Sequence, residues 1–362
     1  MTLKWQVAAL SLLAASAASA QSSVTLYGVA DAGIEYTNKS APTAAGTSGG
    51  SAVRVTSGNQ SGSRWGLRGV EDLGGGLKTL FVLESGVNFD TGTSGQGGRL
   101  FGRNAYVGLQ GPYGTFSLGR HTTPYFDFGL LYDPMAISTR YGITSIAPEF
   151  GSRADNSGKY IGIFGGLTVS ALYSFTNNGT EIPGNFTNGR EYSFSATYAT
   201  GPLSIGAIYD QANNVGDASA QLIRRASAAG SYSFGAAKAY AGYRWGKAFN
   251  GATLPGGQFA NGGSNLYWAG LGYQFTPAFS VIGAAYYQDF RNSGADPWDF
   301  VATADYAFSK RTDVYLSVSY VKNKNNSNLG VNGFNTNSPT DSAFVQNGAN
   351  QFGATMGIRH KF

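Results

Sequence analysis

The chain has no cysteine among its 362 residues, so neither disulfides nor thiolate ligands are available to it. It has only two histidines, His121 and His360, and this pair cannot build a usual transition-metal site without cysteine. The net charge of +5 is too small a basic excess to indicate binding of nucleic acid. We therefore expect no metal, no other cofactor and no nucleic-acid partner.

Long apolar runs are also missing. The first twenty residues, MTLKWQVAALSLLAASAASA, combine Lys4, a short apolar stretch and the small residues Ala18-Ser19-Ala20. This is the pattern of a secretory signal peptide, and the apolar stretch is shorter than the roughly 20 residues of a membrane-spanning helix. We expect residues 1–20 to be removed, leaving 21–362 as one exported domain. Without Lys4, 24 basic residues face 20 acidic ones, a net charge of about +4.

Glycine and aromatic residues are abundant, with 53 glycines and 14% Phe, Trp and Tyr. Glycine is unfavourable inside helices and aromatic residues favour strands, so the composition predicts an all-β protein. The mean hydropathy of −0.16 is typical of a soluble protein. However, a transmembrane strand needs only about 9 to 11 residues and exposes alternate side chains to lipid, so a membrane barrel is also compatible with this value.

Several segments alternate polar and apolar residues. In EYSFSATY (191–198) the aromatic residues share one face with Ala196, and the serines share the other with Glu191 and Thr197. The same period occurs at 77–89, 298–306 and 313–320. Alternation predicts β-strands, but a soluble β-sandwich also alternates, so this pattern alone does not identify a membrane protein.

Three further features favour a transmembrane antiparallel β-barrel. Aromatic residues occur at the ends of the apolar faces, as in the interfacial girdles of barrels. Short turns, such as GPYG (111–114) and ATGPL (199–203), alternate with long polar loops, such as 177–189 and 247–264. Counting the segments between them predicts about 16 strands, a number that encloses an aqueous channel.

Four segments follow one another in a recognisable order and spacing: SSVTLYGVADAGIEY (22–36), SRWGLRGVEDLGGGLKTLFVLESG (63–86), RNAYVGLQGPYGTFSLGR (103–120) and the C-terminal MGIRHKF (356–362). They resemble the general diffusion porins of Gram-negative outer membranes, in their beta-proteobacterial branch. The resemblance extends over the whole mature chain. It implies a homotrimer of sixteen-stranded barrels in the cell outer membrane, surrounded by lipid and lipopolysaccharide, each with its own pore and with the third outer loop folded into the lumen.

That loop is expected at residues 121–154. It is longer than ordinary connections, and it is too rich in Tyr, Phe, Ile and Leu to be disordered. Packing against the inner barrel wall would bury these side chains, since irregular backbone is tolerated where it lines a water-filled cavity. In the family PEFG lies in this loop, so the resemblance places Glu149 at the pore constriction.

The resemblance also implies a cluster of arginines on the wall opposite Glu149. Arg64 and Arg103 match family positions by motif, and Arg153 matches less directly because it lies at a loop-to-strand junction. Arg68 shares a face with Arg64, whereas Arg120 shares its face with apolar residues and ranks lower. Other charged residues are interpreted as a wetted inner wall, without a constriction role: Asp31, Glu35, Lys78, Glu84 and Arg225.

Arginines facing an acidic loop create a field across a narrow opening, and such charged rings sort ions. We expect an outer-membrane porin for passive diffusion of small hydrophilic solutes and ions, with weak anion preference. The alternatives are a substrate-specific channel, which would need an aromatic track along its pore, and an adhesin acting through the outer loops. A plain surface salt bridge between Glu149 and Arg153 is the simplest alternative for those two residues.

An enzymatic function has little support. Ser117, His121 and Asp127 have the residue types of a hydrolase triad, but no motif surrounds them. GGGLK at 74–78 lacks the spacing of a phosphate-binding loop and indicates a hairpin turn. We expect no catalytic activity.

Overall fold

The computed structural model describes residues 23–41, 50–334, 344–345 and 347–362. The predicted signal peptide and the start of the mature chain lie outside the described residues. Among the residues described, no helix is long and apolar enough to cross a membrane.

The architecture is a closed antiparallel sheet of sixteen strands, as predicted from the turns and the alternation. The strands, labelled in chain order, are β1 Ser23–Ala41, β2 in two segments, Gly50–Ser57 and Arg64–Gly74, β3 Leu77–Asn88, β4 Asn104–Gly111, β5 Gly114–Thr122, β6 Arg153–Phe164, β7 Leu167–Ser174, β8 Glu191–Thr200, β9 Leu203–Asn213, β10 Leu222–Phe234, β11 Ala237–Phe249, β12 Gly263–Gln274, β13 Phe279–Phe290, β14 Trp298–Ala307, β15 Thr312–Lys322 and β16 Gln351–Lys361.

The first and last strands close the barrel. One edge of β1 pairs with β16, with Val29 opposite Lys361, and its other edge pairs with both segments of β2. The backbone of Phe362 donates to and accepts from Gly28, at 3.1 and 3.0 Å. Closure gives every strand two hydrogen-bonded neighbours, which a sheet needs where no water can reach its edges.

Burial in the strands is the reverse of that in a soluble sheet. In β8, Ser193 and Ser195 are buried, whereas Phe194 between them is 54% exposed. The polar face therefore points into the barrel and the apolar face points outward, as a lipid environment requires. On the outer surface Tyr243, Tyr267, Tyr287 and Trp298 form a continuous row, with ring centroids 5.2, 6.3 and 4.5 Å apart along it. This row is one arc of an interfacial girdle.

The two ends of the barrel differ. Tight turns join the strands at one end, for example after Gly111, Thr200 and Phe234. The long connections are at the other end, as predicted. The connection predicted at 247–264 is shorter than expected, because β11 continues to Phe249 and β12 begins at Gly263.

The connection between β5 and β6, residues 123–152, is called the inner loop. It contains α1 Pro124–Tyr132, the single turn α2 Ile143–Ile146 and a 3-10 turn, Pro148–Gly151. The α1 helix begins with Pro124 after the N-cap Thr123, whose hydroxyl accepts from the backbone N–H of Phe126. Other short elements are Thr93–Ser94, Gly95–Gly98, Gly216–Ala218, Leu329–Gly330, Gly333–Phe334 and Phe344–Val345.

The inner loop supplies much of the buried apolar core. Tyr125, Phe128 and Phe150 are at most 1% exposed, and the ring of Phe150 packs edge-on against Trp268 of β12, 5.7 Å between centroids. Inward-facing residues of β9 and β12 to β15 belong to the same cluster, as do residues of 252–254 and 329–334. The loop therefore lies against the inner faces of these strands and fills that half of the barrel.

Candidate functional site

The opening left beside the inner loop is a cavity of about 530 Å³ between the loop and the inner wall of β2 to β4. Its charged lining residues are Arg64, Glu84, Arg103, Asp127, Arg140 and Arg153. Four arginines and two acids leave an excess of positive charge around this cavity, and such an excess raises the local concentration of anions.

Glu84 on β3 holds two of these arginines. Its Oε1 lies 2.8 Å from Nε of Arg103 and its Oε2 lies 3.5 Å from Nε of Arg64. The hydroxyl of Tyr27 donates to Oε2 at 3.0 Å. We predicted Glu84 only as a wetted wall residue, but it fixes the orientation of the two guanidinium groups.

The alternation pattern does not predict whether the Arg103 side chain points inward or outward. It shares parity with Val107 and Leu109, which point outward and are more than half exposed. Arg103 precedes the first residue of β4, so the strand geometry does not fix its direction. Its side chain turns inward and is 8% exposed beside Glu84.

Arg153, the first residue of β6, contributes a third arginine to the same cavity. Its Nη1 donates to the carbonyl of Gly151 at 3.2 Å, and its guanidinium lies 5.1 Å from the ring centroid of Phe126. No ion pair joins it to Glu149 among the described residues. The structure therefore brings Arg64, Arg103 and Arg153 together.

Glu149 lies elsewhere. Its side chain is buried on the far side of the inner loop, where Oε1 is 2.8 Å from Nε of Arg244 and Oε2 is 4.0 Å from Nη1 of Arg225. Arg225 also pairs with Asp210, at 3.0 Å. Glu149 is absent from the residues lining the cavity, so the expected arrangement, with Glu149 facing Arg64 and Arg103, is not the one observed. A buried carboxylate needs a paired cation, and two inward-facing arginines of β10 and β11 provide it.

Arg68 and Arg120 stand apart from the cavity lining. Arg68 is exposed on β2, and its guanidinium lies 5.2 Å from the ring of Tyr27. Arg120 pairs with Asp155 at 2.5 Å, and Arg99 binds the same carboxylate at 2.8 Å. A register shift in β5 after Gly119 turns Arg120 away from the outward face that its parity predicted.

Sequence reasoning missed Arg140 and Arg244, and it placed Arg225 on the inner wall without predicting its partner. Arg140 lines the cavity from the inner loop itself, 3.5 Å from Glu35, and no motif or period marks it. Arg225 and Arg244 occupy inward positions of β10 and β11. Their alternation was visible, but nothing in the sequence indicated that the loop carboxylate would lie against them.

Inward-facing aromatic residues hold the inner loop in place. Tyr286 donates to Asp133 at 2.5 Å, and the indole of Trp268 donates to the carbonyl of Tyr132 at 2.9 Å. From the loop side, Tyr141 donates to Glu35 at 2.8 Å. Burial raises the pKa of Asp133, a loop residue, to about 6. These aromatic residues serve as anchors and do not form a track along the cavity.

The residues of the suspected triad do not form one. Ser117 and His121 are hydrogen-bonded at 2.9 Å, but the other ring nitrogen of His121 contacts the hydroxyl of Ser157. Asp127 instead binds Lys159 at 2.5 Å. No carboxylate among the described residues therefore orients His121 at this place. Its side chain is 2% exposed, which leaves no access for a substrate.

Comparison with known proteins relates the chain to membrane channels. Residues 7–326 match the profile of the Gram-negative porins. The chain is 32% identical to an outer membrane porin of Bordetella pertussis and 32% identical to outer membrane porin protein 32 of Delftia acidovorans, in each case over 99% of this chain and 100% of the relative. A solved structure, the anion-selective porin from Comamonas acidovorans, is 29% identical and superposes with a TM-score of 0.81 over 94% of this chain.

Proposed function

The chain belongs to the Gram-negative porin family, and from this premise we propose that its cavity arginines form the constriction of an outer-membrane channel with weak anion preference. The channel carries small hydrophilic solutes and ions by passive diffusion. The observation that supports the constriction is the excess of arginine around the cavity: Arg64, Arg103, Arg140 and Arg153. Their charge is permanent at any relevant pH.

The selectivity is weak because the arginines are partly neutralised. Glu84 pairs with Arg64 and Arg103, and Asp127 lines the same cavity. Since charges in a water-filled passage are also screened by salt, the remaining field favours anions without excluding cations. Glu149, buried with Arg244, contributes little to this field.

We propose that the homotrimer forms through the barrel face that runs from β16 through β1 to β5. Its exposed side chains are mainly aliphatic and more than half exposed: Leu26, Ile34, Val107, Leu118, Met356 and Ile358. The aromatic row lies on the opposite face, β11 to β14, where we place the lipid and lipopolysaccharide of the outer membrane. We also propose that residues 1–20 are removed on export, so that residues 21–362 form the single domain of the mature protein.

Planar-bilayer recordings test the channel. In a salt gradient the reversal potential should show a modest excess of anion over cation permeability, and a trimer should close in three equal conductance steps. Strong cation selectivity would contradict the arginine constriction, and single-step closure would contradict the trimer. Solute flux into liposomes should fall smoothly with solute size, whereas saturation by one solute class would indicate a specific channel.

The enzyme alternative has a separate test. Esterase and protease assays on the purified trimer should show no turnover. Activity that disappears in His121→Ala would restore the hydrolase hypothesis.

A further inference from the structure

A cluster of basic side chains lies on the outer surface of the barrel, at the end that carries the long loops. Arg224 near the start of β10 and Lys247 near the end of β11 are directly opposite each other in the strand register. Arg291 follows the end of β13. The side-chain stems of Lys247 and Arg291 both approach Gly263, their Cδ atoms lying 3.6 and 3.4 Å from the position of a Cβ at that residue. The three side chains therefore form one patch, called the rim patch.

The rim patch points toward lipid and not toward the pore. Lys247 has the parity of Tyr243, which faces outward, whereas Arg244 between them faces inward and pairs with Glu149. Arg224 and Arg291 are exposed. Because the long loops mark the outer end of a porin, the patch lies at the level of the outer-leaflet headgroups.

The aromatic row lies next to the patch. Tyr243 and Tyr267 belong to the same strands as Lys247 and Gly263, displaced toward the barrel middle. Aromatic rings of this kind sit at the boundary between hydrocarbon and headgroups. Cations beyond that boundary meet the charged part of the lipid while their aliphatic stems cover apolar surface.

The charges of the rim patch are uncompensated by ion pairs. Within the described part of the chain, no carboxylate lies within salt-bridge distance of Arg224, Lys247 or Arg291. Arg224 donates to the side chain of Gln211 at 2.9 Å, and Lys247 donates to the carbonyl of Asn261 at 2.6 Å. The neighbouring acid, Asp289, accepts from Asn265. These neutral partners orient the cations and leave their charge available.

We propose that the rim patch binds the phosphate groups of an anionic lipid of the outer leaflet, with the acyl chains lying against the aromatic row. Arginine and lysine both bind phosphate, arginine by paired hydrogen bonds, and adjacent cations suit a lipid with more than one phosphate. The inference rests on the proposed outer-membrane porin, because it uses the porin orientation to place the patch in the outer leaflet.

Lipid retention by the full-length trimer tests this. The variant Arg224→Gln with Lys247→Gln is compared with the control Lys310→Gln with Arg311→Gln, which removes the same charge from an exposed turn at the opposite end. The probe is bis-phosphorylated lipid A in detergent, and native mass spectrometry measures how much stays bound. We expect about tenfold weaker binding in the rim variant and no change in the control.

Three results would overturn the proposal: equal retention by both variants, equal binding of lipid A stripped of its phosphates, or displacement of lipid A by millimolar inorganic phosphate. The last would indicate a site for free anions. Should the glutamine variant not assemble, Arg291→Gln alone should give a smaller loss in the same direction. Single-channel conductance of each trimer reports the pore separately, so failure of the channel and failure of the lipid site give different results.

Discussion

The carboxylate of Glu149 and the guanidinium of Arg244 are 2.8 Å apart, Oε1 to Nε, and both side chains are at least 95% buried. This pair joins the inner loop to β11 on the side of the barrel that the apolar core fills. A second set of charges, Glu84 with Arg64 and Arg103, lines the cavity. The protein thus separates the charges that fix the loop from those that face the passage.

Neutralising Glu149 should release the inner loop. Glu149→Gln leaves Arg244 buried without its anion, which typically costs about 3 to 5 kcal/mol. We expect noisier conductance and a lower closing voltage, with little change in the ion permeability ratio. Glu71→Gln, at an exposed position of β2, is the matched control. A changed permeability ratio with steady conductance would place Glu149 in the passage after all.

Removing the two wall arginines should reduce anion preference. Arg64→Ala with Arg103→Ala also leaves Glu84 without its cations, so the variant is made together with Glu84→Gln. Reversal potentials in a salt gradient should shift toward zero, while trimers still assemble. Arg68→Ala, outside the cavity, serves as comparison. An unchanged permeability ratio would remove both arginines from the constriction.

Glu84→Gln alone should have the opposite effect. The substitution keeps the size of the side chain and removes one negative charge from the cavity lining, so two arginines lose their counter-charge. We expect the anion permeability ratio to rise by about twofold or more, more strongly at low salt because screening is weaker there. A fall in the ratio would mean that Glu84 is needed to hold the arginines toward the passage.

The pH dependence of stability should contain a contribution from Asp133. Its pKa is raised by burial to about 6, so the folded state binds the proton more tightly than the unfolded chain does. The stabilisation is fully present below about pH 4, the ordinary aspartate pKa, and is lost as pH rises through 6.

Melting of the trimer in detergent between pH 3.5 and 7 measures this contribution. Asp133→Asn should flatten this pH dependence. The change in the free energy of unfolding between pH 4 and 6 should become smaller by on the order of 1 to 3 kcal/mol. Asp217→Asn, an exposed loop residue, should leave the slope as it is. If Asp133→Asn and the unmodified protein show the same slope, folding does not raise the pKa of Asp133.

The strands were predictable because their signal is local. In β8 and β15 successive side chains point alternately into the barrel and toward lipid, so polar and apolar residues alternate in the sequence with a period of two. The same argument placed Arg64 and Arg225 inward correctly. It failed for Arg103 and Arg120, which lie just before a strand and at a register shift, where the period no longer sets the direction of a side chain.

The sequence by itself determined the all-β barrel, the alternation of short turns with long loops and the position of the inner loop, because each depends on residue spacing along the chain. Only the tertiary structure decided the partners of the loop charges. The inner loop has no fixed period, and its conformation is set by contacts with strands more than a hundred residues away, such as Tyr286 with Asp133. Long-range packing therefore turned Glu149 to Arg244 and brought Arg140, which no pattern marked, to the cavity beside Arg64 and Arg103.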